Sequence, residues 1–218
     1  MTNIMKRTIL FITSLVLITS VSFSQSKVNI NNLSDYGGKM FKENDDKPYT
    51  GLVFDLYRTT GNKSLVGRYK DGLRNGKWSW WNVENKMDSS GTYKDGNQNR
   101  KWTYWYENGE KWKEGTYKDG KKHGLWTEWF ENGQKKSEGT YKDGERDGLN
   151  TYWYENGQKK IEGTWKDGEK DGFWTYFYEN GQKYLEKTYK DGKEISSKCW
   201  DKDGNECECG QYWWAGCK

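Results

Sequence analysis

YWYENGQKKIEGTWKDG, residues 152–168, decides the fold because the chain writes nearly the same stretch again at 104–120, 128–144 and 176–192. Self-similarity at a fixed period marks a repeat architecture. Gly67, Gly91, Gly115, Gly139 and Gly163 stand 24 residues apart. Asp71, Asp95, Asp119, Asp143, Asp167 and Asp191 keep the same step, each followed by glycine, as do Trp81, Trp105, Trp129, Trp153 and Phe177. Within a unit, aromatic and polar residues alternate and run into Asn-Gly, the strongest short-range hairpin signal, because both central positions of a type I′ turn need positive φ. A second turn, Lys-Asp-Gly, ends the return strand. Each unit is therefore two strands and two turns, with no room for a helix. The expected fold is all-β: an elongated, open antiparallel β-meander of tandem 24-residue hairpins, forming a single-layer twisted sheet.

A two-residue type I′ turn at Asn156 and Gly157 sets the pairing by arithmetic. Tyr154 then faces Lys159, Trp153 faces Lys160, Asn150 faces Gly163 and Gly148 faces Trp165. The same rule puts Trp102 opposite Gly115, Trp126 opposite Gly139 and Tyr141 opposite Gly124, so that rings cover backbone lacking a side chain of its own. One face then carries Trp102, Tyr104 and Tyr106, and the other Thr103 and Trp105, with Lys136 near Trp129 for a cation–π contact. Successive copies sit roughly 9.5 Å apart, two strand spacings. The aspartate column is too widely spaced to form a calcium site, whose oxygens lie about 2.3–2.6 Å from the ion, and is read as a turn former. About a dozen strands give a sheet roughly 60 Å long.

The 218 residues include 14 Trp, 16 Tyr and 26 Gly, with only 32% hydrophobic residues. Aliphatic residues are too scarce for a core of ordinary composition, so apolar burial must come from aromatics laid on a sheet. Net charge is +4. Lysines alternate with Glu and Asp, as in EGTYKDGKK (114–122), so no basic stripe is expected along the chain, and nucleic acid is set aside as a partner.

The start of the chain reads as a leader. Lys6 and Arg7 precede the apolar run Ile9 to Val21, and small residues follow at Ser22 and Ser24. That is the pattern of a secretory signal peptide, residues 1–24. The run is shorter than the about 20 residues of a spanning helix, so no stable membrane insertion follows cleavage. The expected product is exported to the periplasm, cell surface or medium. Residues 25–47 form an N-terminal segment and cap, with Gly37 to Tyr49 shielding the first strand; 48–195 hold the repeats; 196–218 form a cysteine-rich C-terminal cap.

Cys199, Cys207, Cys209 and Cys217 all lie in that last segment. They lack the short knuckles of a zinc site, and an exported chain meets an oxidising compartment. Two disulfides are expected, with all three connectivities open and no metal. The stapled end reads as an irregular hairpin turning at Asp203 and Gly204, covering an edge that would otherwise invite pairing. Trp213 and Trp214 pack beneath it or face a partner.

GLWTEWFENGQKKSEGTYKDGERDG, Gly124 to Gly148, resembles the membrane occupation and recognition nexus (MORN) repeat in its bacterial variant, a family often labelled as a toxin–antitoxin antitoxin. The likeness covers about residues 48–195. Departures are Asn150 where other copies have Trp, Glu128 where they have Tyr or Trp, and the turn Glu84 to Lys86. The resemblance implies an elongated hairpin sheet without catalysis, used as an interaction surface in protein assembly or at lipid, and carries an antitoxin-like label.

No catalytic residue is expected. His123 is the only histidine, beside Gly124 in a turn, and no Ser-His-Asp order, zinc motif or phosphate loop is present. No cofactor is implied. The function expected is a non-enzymatic scaffold that binds an unidentified protein. Its candidate binding residues are two aromatic columns: Trp81, Trp105, Trp129, Trp153 and Phe177, and Trp102, Trp126 and Trp174. The alternative is a carbohydrate-binding module whose evenly spaced rings stack on successive sugars of a glycan.

Overall fold

The computed structural model describes residues 27–210 and Cys217; the leader expectation at 1–24 and the tryptophans Trp213 and Trp214 lie outside the described residues. A single 16-stranded sheet runs through the molecule, open at both ends, with sequential strands as neighbours from Gly51–Leu56 to Glu206–Cys207. With neighbouring strands about 4.8 Å apart it extends roughly 65 Å. The only helical element among the described residues is one 3-10 turn, Ile30–Asn32.

Each repeat is a hairpin with two unlike turns, and the expected two-residue turn at Asn-Gly is not found there. The two-residue type I′ turn is at Asp-Gly: Asp167 and Gly168 have φ of 47° and 82°, and Lys166 pairs with Glu169 across them. At Asn-Gly only Gly157 is left-handed, at 84°. The Gly157 N–H donates to the Tyr154 carbonyl at 3.0 Å, and the Tyr154 N–H to the Gln158 carbonyl at 2.9 Å. That is a three-residue loop, in which Asn156 serves by its side chain: Oδ1 accepts from the Gln158 N–H, and Nδ2 donates to the Glu179 carbonyl of the next hairpin.

The longer loop shifts the pairs nearest the turn. Trp153 pairs with Lys159, not Lys160, and Tyr154 closes the loop on Gln158 in place of Lys159. A bulge beside Trp153 then takes up the extra residue, so Asn150 pairs with Gly163 and Gly148 with Trp165 as expected. The other expected pairs, Trp102 with Gly115, Trp126 with Gly139 and Tyr141 with Gly124, are also present. The bulge corrects the lysine assignment: Lys136 lies over the Phe130 ring, and it is Lys111 that lies over Trp129, at 5.6 Å.

The rings do cover glycine, but from the following strand. An added Cβ on Gly115 would lie 2.1 Å from the Trp126 ring, and Gly67, Gly91 and Gly163 are covered in the same way by Trp78, Trp102 and Trp174. Each of these four indoles donates its N–H to a backbone carbonyl ten residues earlier: Arg68, Thr92, Thr116 and Thr164. Edge-to-face contacts link them through Tyr69, Tyr93, Tyr117, Tyr141 and, further on, Trp165 and Tyr189, with centroids 4.9–6.4 Å apart. This ladder replaces a two-layer core.

The ladder breaks once. Asn150 stands in the tryptophan column over Gly139, only 3% exposed, with its Oδ1 lacking a hydrogen-bond partner. Arg146 lies alongside, its Nε 3.4 Å from the Tyr141 hydroxyl and its guanidinium 5.0 Å from the Trp165 ring. Asn150→Trp is expected to stabilise the array by about 2 kcal/mol, through two regained ring contacts and removal of an unpaired buried acceptor. The urea unfolding midpoint measures this. A fall in midpoint would mean that displacing Arg146 costs more than the ring returns.

At the N-terminal end, Val28–Asn29 pairs in parallel with Gly51–Leu56 and covers its edge. The hairpin Leu33–Tyr36 and Lys39–Lys42 forms a small separate sheet. It is tied on by the Met40 N–H to the Gly72 carbonyl and the Tyr49 N–H to the Met40 carbonyl, over a cluster of Leu33, Tyr49, Val53, Tyr69 and Trp78. At the other end the chain turns back from Asp201 to Asn205, and disulfides join Cys199 to Cys209 and Cys207 to Cys217.

Candidate functional site

Strand alternation gives the sheet two unlike faces. The ring face holds the aromatic ladder, and beside it Trp80, Tyr104, Tyr152 and Tyr176. Trp102, Trp126 and Trp174 lie here, only 2, 4 and 3% exposed, so these three candidates act as packing inside the ladder. Four cations occupy one position of the 24-residue repeat on this face: Arg74, Lys122, Arg146 and Lys170. Lys122 lies 4.6 Å from the Trp126 ring and 4.8 Å from Tyr141, and Lys170 lies 4.3 Å from Trp174 and 4.8 Å from Tyr189. Arg74 covers Trp78 and Tyr93 similarly. In the remaining copy Gln98 takes the position and bonds the Tyr104 hydroxyl.

Burial pushes the Lys170 ammonium below its usual range, with Lys187 adding to the effect, and Lys113 is lowered likewise by burial and by Lys122. Burial also drives the Tyr117 and Tyr176 phenols well above their ordinary range. The expectation of no basic stripe is thus corrected. Residues one apart point opposite ways, which leaves a column of cations over the rings and puts the Lys–Glu pairs on the opposite face.

The opposite, threonine face carries the other candidates, Trp81, Trp105, Trp129, Trp153 and Phe177, all half-buried. The bulge puts residues three apart on one face, so Lys111 reaches Glu114 at 3.0 Å, Lys135 reaches Glu138 at 2.7 Å and Lys159 reaches Glu162 at 2.6 Å. Thr103, Thr127 and Thr151 donate to the same three carboxylates. Burial alone would raise the Glu114 carboxyl, but hydrogen bonds from Lys101, Lys111 and Thr103 outweigh it and hold the group below the usual carboxylate range. Lys111 and Lys135 also lie over Trp129 and Trp153 at 5.6 and 5.7 Å.

Beside this column runs an apolar stripe that the sequence reading did not single out. Leu125, Leu149 and Phe173 are 53, 56 and 66% exposed, one repeat apart. The signal was present, since each directly follows the glycine at 124, 148 or 172. It was hidden because an apolar residue beside a turn reads as core when the face is unknown.

His123 has a buried Nδ1 without a partner. Among the described residues no group of histidine, cysteine, aspartate or glutamate is placed to hold a metal, and no helix is long and apolar enough to cross a membrane. Tyr106, Phe130, Glu131, Asn132 and Glu155 line an open groove of about 440 Å³ along the Asn-Gly rim.

An open single-layer sheet of tandem hairpins, with its distinctive chemistry spread evenly over two faces, defines a repeat scaffold. Residues 101–119, 122–143, 146–167 and 170–191 each match the MORN repeat variant family. The four matches follow one another in tandem over residues 101–191. The preceding hairpins, Gly51–Leu56 with Lys63–Lys70 and Gly76–Trp81 with Met87–Lys94, pair in the same manner outside the matched residues. No curated protein matches the chain.

Proposed function

We propose that the chain is an exported scaffold that binds a protein through its threonine face. The observation that carries this is the exposed Leu125–Leu149–Phe173 stripe beside Trp129, Trp153 and Phe177. Apolar and aromatic side chains at a fixed step, ringed by Lys–Glu pairs, have the composition of an interface centre with a polar rim. Export is supported by the two disulfides, which persist in oxidising compartments. Sugar stacking on Trp129 and Trp153 is less well supported, because lysines already lie over those rings.

The test is capture from envelope extract with the intact chain and with Leu125→Ser/Leu149→Ser/Phe173→Ser, whose exposed positions leave the ladder untouched. One protein enriched by the parent is expected to fall at least tenfold with the variant. Equal enrichment by both overturns the reading.

A further inference from the structure

The cation column of the ring face has no part in the threonine-face reading. Lys122, Arg146 and Lys170 occupy three consecutive copies, so their charges repeat at roughly 9.5 Å along the sheet. All three are half-buried, and none is ion-paired with a carboxylate among the described residues, whereas the lysines of the threonine face are paired with Glu114, Glu138 and Glu162. Ring contacts hold each head in place. Lys170 also donates to the Tyr176 hydroxyl and Arg146 to that of Tyr141. Fixed, partly desolvated cations bind an anion with little further loss of side-chain freedom. Lys113 and Lys187 add positive charge near the row, and Glu194 is occupied by Lys187 at 2.7 Å; Asp167, Glu169, Asp171 and Asp191 line a groove with Lys170 without ion-pairing to it.

We propose that the ring face binds an acidic polysaccharide lying across the strands, with one carboxylate per disaccharide seated on each of Lys122, Arg146 and Lys170. The cations form a row across the strands, so the ligand that matches them is extended and periodic. Two sugar rings of an extended chain span about one repeat of the sheet. An extended acidic peptide advances about 3.3 Å per residue with side chains alternating; a charge every third residue would fall on alternate sides and miss every second cation. Duplex nucleic acid carries a phosphate every 3.4 Å per strand, which leaves most of its charge unmatched. Trp102, Trp126 and Trp174 are buried in the ladder and are not open to stack on bases.

The experiment titrates the intact chain with hyaluronan oligosaccharides, which carry one carboxylate per disaccharide, beside neutral dextran, polyglutamate, single-stranded DNA and phosphatidylglycerol vesicles. Saturable binding to hyaluronan that weakens with salt is expected. Lys122→Gln/Arg146→Gln/Lys170→Gln should weaken it at least tenfold, and glutamine is tolerated because Gln98 already holds the same position. Lys111→Gln/Lys135→Gln, on the threonine face, should leave it unchanged. Three results overturn the proposal: no hyaluronan binding, binding indifferent to the triple substitution, or equal or tighter binding to polyglutamate, DNA or vesicles. Because capture by the threonine face is read with different substitutions, either proposal can fail while the other stands.

Discussion

Gly115→Ala destabilises the array by about 3 kcal/mol, reversing the usual sign, since alanine within a strand ordinarily gains about 0.5–1 kcal/mol over glycine. The new Cβ would stand 2.1 Å from the Trp126 ring. That ring cannot step aside cheaply. Its N–H is bonded to the Thr116 carbonyl at 3.1 Å, and its edges meet Tyr117 at 4.9 Å and Tyr141 at 6.4 Å. Trp126→Ala costs about 3–5 kcal/mol through lost burial and the space left behind. Combining the two removes the clash along with the ring, so Gly115→Ala/Trp126→Ala should be no less stable than Trp126→Ala alone. Urea midpoints of the three variants measure the coupling. Additive losses would show that the ring over glycine is not what the repeated glycine serves.

Reduction of the disulfides is expected to loosen the C-terminal end and leave the repeats intact. The two bridges interleave: Cys199 to Cys209 and Cys207 to Cys217, each 10 residues apart in sequence. The strand they anchor, Lys193–Trp200, is exposed from residue 193 to 198 and buried only at Cys199. It therefore has little besides its ladder with Lys183–Lys190 to hold it. A bridge of this size contributes about 2–4 kcal/mol, which corresponds to amide exchange faster by roughly thirtyfold or more over residues 193–209. In a repeat array each unit is stabilised mainly by its neighbours, so amides of Lys111–Lys118 and Lys121–Trp129 should keep their rates. Uniform acceleration along the chain, or none at the end, would contradict a local staple.

The Asn-Gly hairpin shows why a correct register was legible from an incorrect turn. Asn150 pairs with Gly163 because the ringed glycines and alternating residues allow one register in which bulk meets bare backbone. The turn itself was misread, since a three-residue loop followed by a one-residue bulge returns the strands to the pairing of a two-residue loop. Two compensating changes leave no trace at distance. They do leave one near the turn, where Lys135 in place of Lys136 shares a face with Trp129, and this pattern of Lys–Glu pairs was not readable from spacing alone.

The candidate columns divide for a related reason. Trp105 and Trp102 look alike as letters three apart, yet Trp102 is sealed under its neighbours' rings and Trp105 lies on the other face. Glu114, Lys113 and Lys122 read along the chain as mixed charge, but a pleated strand sends adjacent side chains to opposite sides. The cation row over the rings and the balanced pairs opposite emerge only when strands are laid together.

By itself, then, the order of residues determined the 24-residue hairpin, the meander and the placing of rings over glycine, because turn chemistry and two-residue alternation act locally and repeat. Only the tertiary structure decided which way each charge and ring faces, where the bulges fall, and that Cys199 meets Cys209 while Cys207 meets Cys217. Those outcomes depend on distances between residues on different strands, which no spacing along a single chain encodes.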